Sequence, residues 1–261
     1  MTDSVMYSDL CWPDIKQAIE LNTIVILPVG STEQHAFHLP ICTDDYMAQK
    51  WAYDSAVLAK EKYGVKVLVL PGVHVGNSKH HMGLPGTLTL SFETLKNVVF
   101  EIGDSVLTHG FKKLLILNVH GGNRFAVGAA GIDLKEKYRN LGKDVIIRVG
   151  DDGDPDLRPI SMFDKLESFT EEAKIHKMVH GGVLETAKML YLRKDLVKMD
   201  RAKKIDTPPL KQTELEFYDK ATNGIGASGR PSDATAEAGQ IQWETHVQCL
   251  AEYLARLDKL S

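Results

Sequence analysis

Glu33, His35 and Asp44 place three metal-ligating side chains within twelve residues. They follow an apolar run, Ile24-Val25-Ile26-Leu27-Pro28-Val29-Gly30, that reads as a buried strand. In extended backbone, residues two apart point to the same side, so Glu33 and His35 converge. A loop can then fold Asp44 back toward them. Two carboxylates and an imidazole form a mixed oxygen and nitrogen donor set suited to Zn, Mn or Fe. On its own so short a motif is weak, and a polar loop with an incidental histidine explains it as well.

A second segment changes that balance. Leu114-Leu115-Ile116-Leu117-Asn118-Val119 is another buried-strand pattern, and it opens into His120-Gly121-Gly122-Asn123. The glycines allow a tight turn and a close approach to a ligand. Asn123 is placed to cap a helix running from Arg124 to about 138–140. In open α/β sheets ligands bind beyond the carboxyl ends of the strands, where both segments deliver ligand-type side chains. A third segment, His180-Gly181-Gly182-Val183-Leu184-Glu185-Thr186, precedes another helical stretch. Its glycines leave N–H groups open to an anion, and Glu185 falls in an early turn where the helix dipole favours a carboxylate. A first-turn glutamate that serves only its own helix is the competing explanation.

The elements that must position these groups alternate. Strand patterns cover 24–29, 65–70, 114–119 and 144–149, and helical patterns cover 46–63, 91–109, 124–140 and 235–257. Such alternation implies βαβ units and a mostly parallel sheet within one domain spanning 1–261. Between the second strand and the next helix lie Ser78, His80 and His81. Adjacent residues in extended backbone face opposite ways, so one of the two histidines is expected to reach the site. Asp151-Asp152-Gly153-Asp154-Pro155-Asp156 lacks the spacing of a calcium loop and reads as a solvated turn. Segments 205–209 and 223–234 read as long loops.

In order along the chain, Glu33-Gln34-His35, Thr43-Asp44, Ser78 with His81-x-x-Leu84-Pro85-Gly86-Thr87, His120-Gly121-Gly122-Asn123 and His180-Gly-Gly-x-x-Glu185-Thr186 resemble the motifs of the creatininase (creatinine amidohydrolase) family. The resemblance implies a three-layer α/β/α metallohydrolase with two divalent ions per chain, commonly assembled as a hexamer. It makes Glu33 and His120 ligands of one ion, His35 a ligand of the other, Asp44 the bridge and His180 the catalytic histidine. Ser78, His81, Gly121 and Gly122 become substrate-binding residues. Creatininase itself carries a ligating glutamate where this chain has Gly122, so Glu185 is expected to replace it. Creatininase also walls its pocket with tryptophans, and the matching stretches here, 149–154 and 173–178, contain none. Creatinine is therefore expected to be a poor substrate.

The expected activity is hydrolysis, by water activated between two metals, of the C–N bond in a small cyclic amide or formamide. C–C hydrolysis of a diketo-inositol ring is the alternative, and a non-catalytic metal-binding module is the alternative from another class. The module is disfavoured by the carboxylate-rich ligand set, since structural zinc sites are rich in cysteine. The 261 residues are 43% hydrophobic and 25% charged, enough for a sizeable core. A net charge of −4 gives no electrostatic case for nucleic acid. Three widely spaced cysteines argue against a disulfide framework, the N-terminus has no signal-peptide pattern, and no apolar run reaches membrane-spanning length. A cytoplasmic homo-oligomer acting on a small molecule is the expectation.

Overall fold

The computed structural model describes residues 4–151, 153–154, 156–157, 166, 180–203, 205–207 and 218–260. Four apolar segments form strands: β1 (Ile24–Val29), β2 (Val67–Val69), β3 (Lys113–Asn118) and β4 (Ile146–Asp151). They hydrogen-bond in the order β2-β1-β3-β4, and all three pairings are parallel. A parallel sheet has both faces covered, and the sequence shows why. Ile24, Ile26, Leu115 and Leu117 bury against one face, while Val25, Leu27, Leu114 and Ile116 bury against the other. Each such side chain contributes about 1.5–3 kcal/mol when fully buried.

Among the described residues, six longer helices cover the two faces. α1 (Trp12–Glu20), α3 (Phe92–His109) and α4 (Arg124–Asn140) pack on the face of Val25 and Leu27. α2 (Thr43–Tyr63), α5 (Val183–Arg193) and α6 (Ala236–Asp258) pack on the face of Ile24 and Ile26. The result is a three-layer α/β/α sandwich, as the family resemblance implied. Ser91 starts α3 by accepting from Thr94 N–H at 3.2 Å, and Thr235 starts α6 by accepting from Ala238 N–H at 3.1 Å.

The strand order positions the site. From β1 the chain crosses through α2 to β2 on one side, then through α3 to β3 on the other. The connections reverse direction between β1 and β3, which leaves a crevice at their carboxyl ends. Residues 30–45 and 119–123 emerge there.

Several expectations need correction. α1 was not read from the sequence, although its apolar positions are periodic and Pro13 and Asp14 mark its start; none of its residues is fully buried. Asp44 lies in the first turn of α2 rather than in a loop. Asn123 does not cap α4 with its side chain. Instead its Nδ2 donates to the Gly30 carbonyl at 2.9 Å and its Oδ1 accepts from Asn77 N–H at 2.8 Å. β4 begins two residues later than expected, and β2 is shorter. Residues 173–178, His176, Asp152, Pro155 and the prolines at 208 and 209 lie outside the described residues.

Candidate metal centre

Three local devices bring the ligand-type side chains together. Gly30 ends β1 where a side chain has no room: a Cβ there would meet Asp45 Cα at 2.4 Å. The missing side chain lets the first turn of α2 sit on the strand end and carries Asp44 over it. Asn118 Nδ2 donates to the His120 carbonyl at 2.8 Å, which fixes the backbone from which the His120 ring projects. The Gly181-Gly182 turn brings His180 and the first turn of α5 to the same place.

The convergence is tight. Glu33, His35 and Asp44 each offer a ligand atom within 4.8 Å of the others, as do His35, His180 and Glu185, and Glu33, His81 and His180. Asp44 divides its oxygens: Oδ1 lies 3.3 Å from His35 Nε2 and Oδ2 lies 3.1 Å from His120 Nδ1. That is the disposition a bridging carboxylate needs. Glu33 Oε2 lies 3.2 Å from His120 Nε2, and Glu185 Oε2 lies 3.7 Å from His35 Nε2. The backbone selects which ring atoms face inward. The Glu33 carbonyl lies 3.1 Å from His35 Nδ1, and the Asn77 carbonyl 3.1 Å from His120 Nε2. A carbonyl only accepts, so those nitrogens carry the protons, leaving His35 Nε2 and His120 Nδ1 as donors to a cation.

Charge and burial support the same use. Glu33 and His35 are wholly buried, and Glu33 Oε1 and His35 Nε2 make no hydrogen bond. Orphaned atoms of this kind are costly unless something pairs with them. Burial pushes the Glu33 carboxyl up to about 7, against the pull of His120. Asp44 is also buried, yet the imidazoles at its two oxygens hold it well below the usual carboxylate range. Burial pushes His35 down, but the carboxylates of Asp44, Glu185 and Glu33 outweigh it and raise the ring to about 10. His120 is raised to about 9 in the same way, chiefly by Glu33 and Asp44. Burial and neighbouring rings push His180 and His81 down. Protons on His35 and His120 thus occupy a field that a divalent cation would fill. The donor set fits such a cation.

The remaining sequence candidates fall around this cluster. Ser78 is buried behind it, its Oγ 2.6 Å from Ser31 Oγ and 3.3 Å from His120 Nε2. His81 turns inward, with Nε2 3.3 Å from Glu33 Oε1. His80 and His81 occupy a short 3-10 turn, not extended backbone, so both rings come inward, and His80 stacks on His120 at 5.7 Å. Gly121 and Gly122 form another 3-10 turn. A Cβ at Gly122 would meet the Asn77 carbonyl oxygen at 2.2 Å, so no larger residue fits there. Glu185 accepts from Gly181 N–H at 2.7 Å while facing His35, and so satisfies both explanations at once. Gln34 and Ser31 were given no role; the signal of Gln34 was its place between Glu33 and His35, and that of Ser31 its position two residues before Glu33. Trp51 and Trp243 are buried in the core between α2 and α6, and Trp12 is exposed on α1. A separate hollow of about 320 Å³, lined by Arg124, Gly150, Asp151 and Asp154, opens at the end of β4. It gathers no histidine, and Asp151 is taken by Arg124 at 2.8 Å.

The family model described as creatininase, creatinine amidohydrolase, matches residues 8–254. Creatinine amidohydrolase of Pseudomonas putida is 29% identical over 97% of this chain and 96% of its own length. Mycofactocin precursor peptide peptidase of Mycolicibacterium smegmatis is 28% identical over 92% of this chain and 88% of its own length. The structure of a glutamate-to-glutamine mutant creatininase of Zn–Zn type superposes with a TM-score of 0.82 at 25% identity, covering 99% of this chain and 100% of that one. Fold, ordered motifs and ligand cluster converge with these matches: the chain belongs to the creatininase family and is a metal-dependent hydrolase.

Proposed function

We propose that the protein hydrolyses the C–N bond of a small cyclic amide or formamide at a site holding two divalent ions. The observation that carries this reading is the split Asp44 carboxylate, one oxygen toward His35 and the other toward His120. Glu33, Asp44 and His120 would hold one ion. His35, Asp44 and Glu185 would hold the other. Bound there, the ions supply Lewis acidity and an activated water.

The chain's own residues do the rest. His180 lies beside the cluster, one-tenth exposed, with Nδ1 3.5 Å from Glu33 Oε1. Its bare Nδ1 can take a proton from the attacking water and pass it to the leaving amine, while Nε2–H stays on the Gln34 carbonyl. The Gly121 and Gly122 turn offers backbone N–H groups to a developing oxyanion. Buried Ser31 and Ser78 support Glu33 and His120 from behind. Creatinine remains a disfavoured substrate, because Trp51 and Trp243 are committed to the core. A homo-oligomeric assembly belongs to the same reading; light scattering on the purified chain tests it.

The test is metal analysis joined to a substrate panel. About two ions per chain, with turnover of formamides, cyclic amides or short peptides, is the expected result. A metal content near one would overturn the two-ion site. Activity confined to a keto-inositol would replace C–N by C–C hydrolysis.

A further inference from the structure

Gln34 separates two residues of the cluster and is itself buried, at 4% exposure. Two backbone groups fix the orientation of its amide. Ala36 N–H donates to Oε1 at 3.0 Å, and Nε2 donates to the Gly226 carbonyl at 2.9 Å. Turning the amide over would set donor against donor and acceptor against acceptor. Its second Nε2 hydrogen has two imidazole nitrogens in reach, His81 Nδ1 at 2.8 Å and His180 Nε2 at 3.2 Å.

The main chain of the same residue decides between them. His180 Nε2 lies 2.7 Å from the Gln34 carbonyl oxygen, which can only accept. His180 therefore carries its proton on Nε2, and its bare nitrogen is Nδ1, facing Glu33 Oε1 at 3.5 Å. The second amide hydrogen is left for His81 Nδ1. An amide nitrogen accepts nothing, so Nδ1 is the bare atom of His81 and the proton sits on Nε2, turned toward Glu33 Oε1 at 3.3 Å.

We propose that Gln34 is a positioning residue that holds both histidines in the Nε2–H tautomer while they turn opposite ring nitrogens toward Glu33. His81 turns its N–H toward Glu33 and is kept from ligating through Nε2. His180 presents a bare Nδ1 to the cluster. Both consequences serve the metal hydrolase proposed above and rest on that reading. One side chain and its own carbonyl thus distinguish a supporting histidine from a proton-handling one, although the rings lie 3.3 Å and 3.5 Å from the same Glu33 oxygen. Outer partners of this kind fix tautomer and ligand orientation in metal sites generally.

The test reads ring nitrogens, not turnover. ¹⁵N-histidine-labelled protein, with and without zinc, is compared as wild type, Gln34→Glu and Gln34→Met by two-bond ¹H–¹⁵N correlation. The wild type should show His81 with bare Nδ1 and His180 with bare Nδ1. In Gln34→Glu the carboxylate can only accept, so His81 Nδ1 should acquire a proton while His180 stays unchanged. Gln34→Met keeps the volume without a donor and should leave His81 without a fixed tautomer; it serves if the buried carboxylate prevents folding. A proton on His81 Nδ1 in the wild type, zinc on His81 Nε2, or the same His81 state in wild type and a folded variant overturns the proposal. Absence of bound zinc would instead count against the metal reading, and the zinc-free spectra would still report the tautomers.

Discussion

The first turns of α2 and α5 each hold a carboxylate at the cluster, Asp44 in one and Glu185 in the other, and the two are built differently. Asp44 is almost fully buried, and each of its oxygens faces a different histidine. Glu185 is one-fifth exposed, and the oxygen nearest His35 also accepts from Gly181 N–H. Asp44 has no structural task that explains its placement, whereas Glu185 has one, because it closes its own helix turn. A residue at a helix N-terminus is diagnostic of a ligand only when the helix does not already use it.

Substitutions at the two helix starts sharpen this contrast. Asp44→Ala should remove measurable activity and deplete both ions, as elemental analysis would show. Retention of two tightly bound ions would mean that Asp44 is not the bridge. His180→Ala, on the α5 side, should lower kcat by about 10²–10⁴-fold with metal content unchanged, the usual contribution of general acid–base catalysis. Loss of metal in that variant would make His180 a ligand. Glu185→Gln should preserve the fold and weaken one ion by at least the roughly 10–100-fold that loss of an outer partner costs. Equal affinity for both ions in a chelator titration would reduce Glu185 to a helix residue.

The smallest effect expected is on stability against pH. In the metal-free protein His35 is raised to about 10 and His120 to about 9, above the ~6.5 of a free imidazole. The folded state therefore binds more protons than the unfolded chain. That stabilisation is fully present below about 6.5 and is lost as pH rises through about 9 and about 10. Glu33, raised to about 7, loses its share earlier, as pH rises from about 4.5 through about 7. The Tm of chelated protein should fall between pH 7 and 10, while that of loaded protein falls less. Metal affinity should rise over the same range, because the ion displaces those protons. A metal-free Tm that rises with pH would contradict the assigned charges.

The α2 side of the site was more legible in the sequence than the α5 side. Glu33, His35 and His120 follow unbroken apolar strands, so strand ends and donor types could be read together. Asp44 was found but given the wrong backbone, because Thr43 and Asp44 lie before the apolar positions that mark α2. The roles of Gln34 and Asn123 were not legible. Gln34 acts through Gly226, nearly two hundred residues away, and Asn123 through Gly30 and Asn77. Such pairings depend on which strand ends become neighbours, and local patterns do not carry that. α1 carried a helical period and a proline in its first turn, so it was legible and was missed.

The crowding at Gly122 also bears on descent. Any carbon added there meets the Asn77 carbonyl oxygen and the His120 ring. Because one of these is main chain, no choice of rotamer relieves the clash. A lineage with this backbone cannot place a glutamate at position 122 by a single codon change. It must first shift the loop carrying Asn77, which Asn123 ties to the end of β1. The turn thus works as a ratchet: once glycine is settled, any further carboxylate for the cluster has to be recruited from another part of the chain, and selection acts on the new position.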